Sequence, residues 1–302
     1  VNEEAKRTRR RTAALVIVFI VSASAITWAL LLLAGFDGVK VPMVALLVAA
    51  DAAGLAWLAA DRVVVRFSRA RVADEVTYAR LHNIVDGLCI AGGLPKPSIR
   101  LIVDDAPNAM AAGRSHRHAT LAVTTGLLER LDRLELEAVV AHELCRIKNN
   151  DVQVATLAVC LLGPLALLSD MLIRLAWWNG GRHGHQERQD GAARPIALLG
   201  FALLVFAPVV SRMMHLAVSR STEIEADAAA VAMTRYPPGL ISALEKMSGE
   251  PTVVHAAGRS TAHLWLAAPL AVTDEQGHLA QWNVMYDTHP PLEHRIEALR
   301  EL

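Results

Sequence analysis

The sequence predicts an α+β protein: one small mixed domain, built from two separated stretches, carried on four membrane-spanning helices. Three observations predict it. Four apolar blocks punctuate a chain that is 53% hydrophobic over 302 residues. Outside those blocks, helical three-four periodicity alternates with short β-branched runs. One strong amphipathic helix, Leu131 to Asn150, ends directly before the third block.

The first block, Thr12 to Phe36, holds 25 residues without a charge. As a helix it reaches roughly 37 Å, enough for a hydrocarbon core of about 30 Å. It is too long for a signal peptide, and a second block follows within a few residues. That block, Val41 to Ala60, is broken only by Asp51. An intramembrane carboxylate is either functional or a paired, protonated group facing the bundle interior. The third block is Val152 to Ser169 and the fourth is Pro195 to Ser211, with Pro164 and Pro208 as expected kinks. Lys6, Arg7, Arg9, Arg10 and Arg11 precede the first block, and Arg62, Arg66, Arg69 and Arg71 follow the second. The positive-inside rule puts both flanks in the cytoplasm. The predicted organisation is a membrane hairpin over 1–60, the first part of the domain over 61–151, a second hairpin over 152–211, and the rest of the domain over 212–302. The location is the cell (inner or plasma) membrane, multi-pass, with the lipid bilayer as a partner.

Zero formal net charge gives no nucleic-acid signature. Cys89, Cys145 and Cys160 make no disulfide framework, which fits a reducing compartment.

In the domain, Val72 to Ala91 has helical spacing and is stopped by Gly92-Gly93-Leu94-Pro95. Ser98 to Val103 reads as a strand, Asp104 to Pro107 as a turn, and His118 to Thr125 as a second strand. Gly113 to Arg117 reads as a solvated hairpin turn. The stripe Leu134, Ala138, Ala141, Cys145 and Lys148 marks the buried face of the following helix. Ser219 to Thr234 is again helical. Pro237-Pro238-Gly239 stops it, Ile241 to Met247 starts another helix, 249–281 reads as loops, and Pro290-Pro291 opens a terminal helix.

The chemistry centres on His142-Glu143-Leu144-Cys145-Arg146. In HExxH two histidines four apart leave one helix face and share a Zn²⁺ ion, and the glutamate takes a proton from the metal-bound water. Here the second histidine is Arg146, which has no acceptor lone pair and cannot ligate. Glu223 offers a carboxylate on a later helix, and Asp227 lies one turn beyond it. His289 offers a donor. Cys145 is a candidate replacement ligand or a small buried residue. His116 and His118 have no spacing that ties them to the site, and His183-Gly184-His185 falls in the turn between the last two blocks.

The chain resembles the HtpX-type membrane-bound zinc endopeptidases, relatives of the CAAX-prenyl endoproteases. The resemblance rests on Asn108-Ala109-Met110-Ala111-Ala112-Gly113, Thr125-Gly126-Leu127-Leu128, His142-Glu143, Asn149, Asp151, Glu223 with Ala226-Asp227, and Thr288-His289-Pro290-Pro291 with Arg295-Ile296. It implies a zincin-like cytoplasmic domain with zinc on His142 and Glu223, Glu143 as general base, His289 steadying an oxyanion, and Asp227 orienting a ligand. It further implies a substrate strand laid beside an edge formed by Asn108, Ala109, Met110 and Ala111, or by Leu121 to Thr124. Membrane or misfolded proteins and peptides are the implied substrates or binding partners. Arg146 departs from the pattern. It predicts a guanidinium bridging Glu143 and Glu223 in the metal's place, or one reaching out to water. Three readings stand: a pseudoprotease, an active peptidase with an atypical ligand set, or a chain whose normal form has His at 146.

Overall fold

The computed structural model describes residues 2–33, 35, 36, 38–161, 220–248, 254, 261, 264–267 and 290–302. Helices α1 (Asn2–Leu33) and α2 (Lys40–Phe67) lead the chain. Both are long and apolar enough to cross a membrane, over Arg10–Trp28 and Lys40–Ala60. Ala45, Ala49 and Ala53 form a buried seam at four-residue spacing on α2, while Met43, Leu46, Leu47, Leu55 and Leu58 point outward. Small residues inward and large apolar residues outward suit a helix pair in lipid, where backbones pack closely and side chains meet acyl chains. Asp51 is on the outward side, not in the bundle interior.

The third apolar block opens as α6 (Asp151–Leu161). Its Val154, Leu157, Ala158 and Leu161 pack with Leu15 and Phe19 of α1 and Ala53 of α2. The rest of that block, the turn carrying His183 and His185, and all of Pro195 to Ser211 lie outside the described residues. Among the described residues, two helices rather than four have the length of a span.

The domain is built on a four-stranded mixed sheet in the order β1-β2-β4-β3. The strands are β1 (Arg71–Val72), β2 (Ser98–Ile102), β3 (Ala109–Ser115) and β4 (His118–Thr124). Strand β2 runs parallel to β4, and β3 pairs antiparallel with β4 as a hairpin. Side chains alternate between two cores, as the two-residue strand period requires. Ala109, Ala111, Leu121 and Val123 face the main core, and Met110, Ala112 and Ala122 face a second one shared with Ala60, Ala155 and Val159 of α2 and α6. The sheet is therefore buried on both faces, between the domain's helices and the apolar helices α2 and α6.

Helix α3 (Ala79–Gly92) starts seven residues later than periodicity predicts. Val76 is 86% exposed, so the apolar spacing from Val72 onward is partly accidental. The helix does stop at Gly93, in the left-handed conformation with φ 64°. Helix α4 (Thr125–Arg130) is capped by Thr124, whose hydroxyl accepts from Leu127 N. Gly126 is required there. A Cβ at that position would lie 2.0 Å from the Asp105 carbonyl oxygen.

Helix α5 (Arg133–Lys148) begins with a reciprocal capping box between Asp132 and Glu135. Leu134 is exposed, contrary to the predicted stripe, and from Leu136 to Ile147 the helix is buried almost all round. Asn150 then takes a left-handed φ of 60° and turns the chain into α6. Helices α7 (Arg220–Thr234), α8 (Pro237–Ser248) and α9 (Leu292–Arg300) complete the described elements. Helix α8 begins at Pro237 rather than Ile241, because proline is tolerated in a first turn.

Candidate functional site

Helices α5 and α7 cross with facing four-residue pairs, His142 with Arg146 and Glu223 with Asp227. Residues four apart share a helix face, so this crossing forces the four side chains together. Glu143 and Arg295 of α9 close the cluster. All six are at most 2% exposed.

His142 Nδ1 lies 2.8 Å from Asp227 Oδ1, and Nε2 lies 3.4 Å from Glu223 Oε2. Both are ionic approaches rather than aligned hydrogen bonds, since neither ring nitrogen nor Glu223 Oε2 has a partner at hydrogen-bond geometry. Arg146 Nη1 donates to both oxygens of Glu143, at 3.3 and 3.2 Å, and to the Leu264 carbonyl at 3.3 Å. Its Nε lies 3.6 Å from Glu223 Oε1. Arg295 donates twice to Asp227 and once to the Leu266 carbonyl.

The electrostatics are balanced. Burial pushes the His142 pKa down, but Asp227 and then Glu223 outweigh it and raise it. Burial pushes the Glu223 carboxyl up, while Arg146, His142 and Arg295 hold it well below the usual range. Asp227 is held down against burial by Arg295 and His142. The Arg146 and Arg295 guanidiniums and the His142 ring thus face the carboxyl groups of Glu143, Glu223 and Asp227, so the buried groups are paired with partners of opposite character. Nearby, burial pushes Asp151 up to about 6, with Arg146 and Arg11 pulling the other way.

Zinc with bonds of about 2.0–2.1 Å at tetrahedral angles sets two donors roughly 3.4 Å apart. His142 Nε2 and Glu223 Oε2, which approach each other without an aligned hydrogen bond, have that spacing, so two ligands fit. The position four residues after His142 holds a guanidinium, which repels a dication. Cys145, the candidate replacement, is buried, and burial pushes its thiol pKa up to about 11. Among the described residues no group of three or more His, Cys, Asp or Glu side chains is arranged to hold a metal ion. The set as it stands does not fit zinc.

His116 is in the hairpin turn, and His118 contacts Ser115 there, away from the cluster. His289 lies outside the described residues. Of the predicted substrate edges, Leu121 to Thr124 is excluded: β4 is the central strand, paired on both sides. Strand β3 is an edge strand, but Ala109, Met110 and Ala111 are buried, and Met110 is bridged on its outer side by Trp265. Sequence reasoning missed Arg295 as more than a motif residue, and missed the segment around Trp265. A signal for Arg295 existed: a cation in the early turns of a helix opposes the macrodipole and calls for an acidic partner.

Residues 75–302 match the profile of peptidase family M48. The chain is 39% identical over 272 residues to the protease HtpX homolog of Tropheryma whipplei (strain TW08/27), covering 90% of this chain and 89% of that one. It is 33% identical over 249 residues to the protease HtpX homolog of Thermoanaerobacter pseudethanolicus, covering 82% and 80%. It is 37% identical over 245 residues to the one from Dictyoglomus thermophilum, covering 81% and 76%. No solved structure matches the chain. With this sheet, this pair of apolar helices and the His-Glu helix crossing a second acidic helix, the chain belongs to peptidase family M48, among its HtpX-like membrane metallopeptidases.

Proposed function

We propose that this chain is an HtpX-like pseudoprotease: a membrane protein that keeps the family's peptide-binding frame and does not hydrolyse peptide bonds as it stands. One observation carries the reading. The Arg146 guanidinium is 2% exposed and lies against Glu143 and within ionic reach of Glu223. Family membership implies zinc. A fixed cation four residues after His142, paired with Glu143, the residue the family uses as general base, supports the reading. Asp227 orients His142, and His289 would face a bound carbonyl. Membrane or misfolded protein segments are the partners this reading assigns, in a protein quality-control setting. The domain sits on the cytoplasmic face of the cell membrane.

A second reading, an active zinc endopeptidase with an atypical ligand set, is favoured by the His142 and Glu223 donors, which keep ligand spacing. Metal analysis of the full chain purified in detergent, beside a cleavage assay on a membrane-protein substrate, separates the two. Substoichiometric zinc and no chelator-sensitive cleavage support the pseudoprotease. Stoichiometric zinc with cleavage overturns it.

A further inference from the structure

The outer edge of β3 is taken by the chain itself. Trp265 bridges Met110 in the antiparallel sense, and Leu266 N donates to the Ala109 carbonyl at 2.8 Å. The Asn108 amide clasps Ala267 from both sides, donating to its carbonyl at 3.0 Å and accepting from its N–H at 3.2 Å. Antiparallel addition to a sheet edge is how many proteins capture an extended peptide.

These residues also cross the ionic cluster. Arg146 Nη1 donates to the Leu264 carbonyl, and Arg295 Nη1 donates to the Leu266 carbonyl at 2.8 Å. The Leu264 carbonyl thus meets the cation that stands four residues after His142, on the same nitrogen that holds Glu143. The next side chain, Trp265, is fully buried in the second core beside Met110, Ala112, Ala122, Ala155 and Val159. The alanines leave the room that an indole fills. Its Nε1 has no acceptor among the described residues, whereas a tryptophan built into a permanent core usually finds one.

We propose that Leu264–Ala267 is an internal occupant of the peptide groove. The Leu264–Trp265 peptide bond lies where a bound peptide's central bond would lie, and Trp265 fills the specificity pocket for the side chain that follows. The proposal rests on the reading above that the peptide-binding frame is kept. It names the ligand class: an extended apolar segment with a large aromatic residue after the carbonyl held by Arg146. It also supplies regulation, because a tethered strand competes at a high effective concentration and shuts out free peptides until it lifts.

The test uses the full chain in detergent and a fluorescein-labelled peptide, Ala-His-Leu-Trp-Leu-Ala-Ala, read by anisotropy. Trp265→Ala should bind it at least about tenfold tighter than the unaltered chain, since the competitor is weakened. The same peptide with Ala for Trp should bind that variant at least about tenfold more weakly. Equal binding to the variant and the unaltered chain overturns the proposal. Hydrogen exchange on the unaltered chain decides the matter even if the variant fails to fold. The Leu266 amide should exchange at least about tenfold faster than Val123 in the central strand. Equal protection makes the segment a fixed strand and also overturns the proposal. Neither readout needs metal or hydrolysis. A finding that the protein binds zinc and cleaves would therefore sink the pseudoprotease reading and leave this one standing.

Discussion

Arg295 holds Asp227 by two parallel hydrogen bonds, Nε to Oδ2 at 2.8 Å and Nη2 to Oδ1 at 2.7 Å. Asp227 Oδ1 in turn lies 2.8 Å from His142 Nδ1. One carboxylate therefore ties the terminal helix to the His-Glu helix and sets the imidazole's orientation. A paired fork of this kind has directional strength that a lysine would lack.

Removing Asp227 should be among the most damaging single changes. Asp227→Ala leaves the buried Arg295 guanidinium without its counter-charge, at about 3–5 kcal/mol. Denaturant unfolding in detergent measures it. The double change Asp227→Leu with Arg295→Met should be less destabilised than Asp227→Ala, because it leaves no orphaned charge from the pair.

Arg146→His should raise zinc uptake sharply and yield measurable proteolysis. One imidazole then joins His142 and Glu223, and Glu143 is released from its ion pair. Arg146→His with Glu143→Gln should bind zinc and stay inert, which separates ligation from base catalysis. Metal content and cleavage are read on both. A single variant that binds zinc yet cleaves nothing would mean that more than one substitution has disabled the site.

Asp151 gives a pH signature. Its folded pKa is raised by burial to about 6, above its ordinary value of about 3.9. Its contribution to stability is therefore fully present below about pH 4 and is lost as pH rises through about 6. Asp151→Asn should melt higher than the unaltered chain at pH 7, and the gap should close toward pH 4. A gap independent of pH would contradict the shift.

Gly126→Ala should cost at least about 2 kcal/mol, because the added methyl has no space to enter. Its Cβ would lie 2.0 Å from the Asp105 carbonyl oxygen, a backbone atom that cannot rotate away. Gly87→Ala is the control: nothing lies within 4 Å of a Cβ there, and α3 should gain slightly. Thermal unfolding of the two variants should move in opposite directions.

Local chemistry was legible in the chain before any coordinates. Length and apolar content marked α1 and α2, turn residues bounded β2 and β4, and four-residue spacings placed His142 with Arg146 and Glu223 with Asp227. These features depend on neighbours in sequence, which propensity and periodicity report directly. Helix starts were less legible, since exposed Val76 mimics a core position and Pro237 can open a helix as well as end one. Only the tertiary structure decided the rest. Which acids meet Arg146, what Arg295 grips, and which segment lies on the outer edge of β3 are set by the crossing of α5 with α7 and by sheet order. Those contacts join residues up to 159 positions apart, as Asn108 and Ala267 show. Their pairing leaves no periodic trace, because backbone donors and acceptors are the same at every residue.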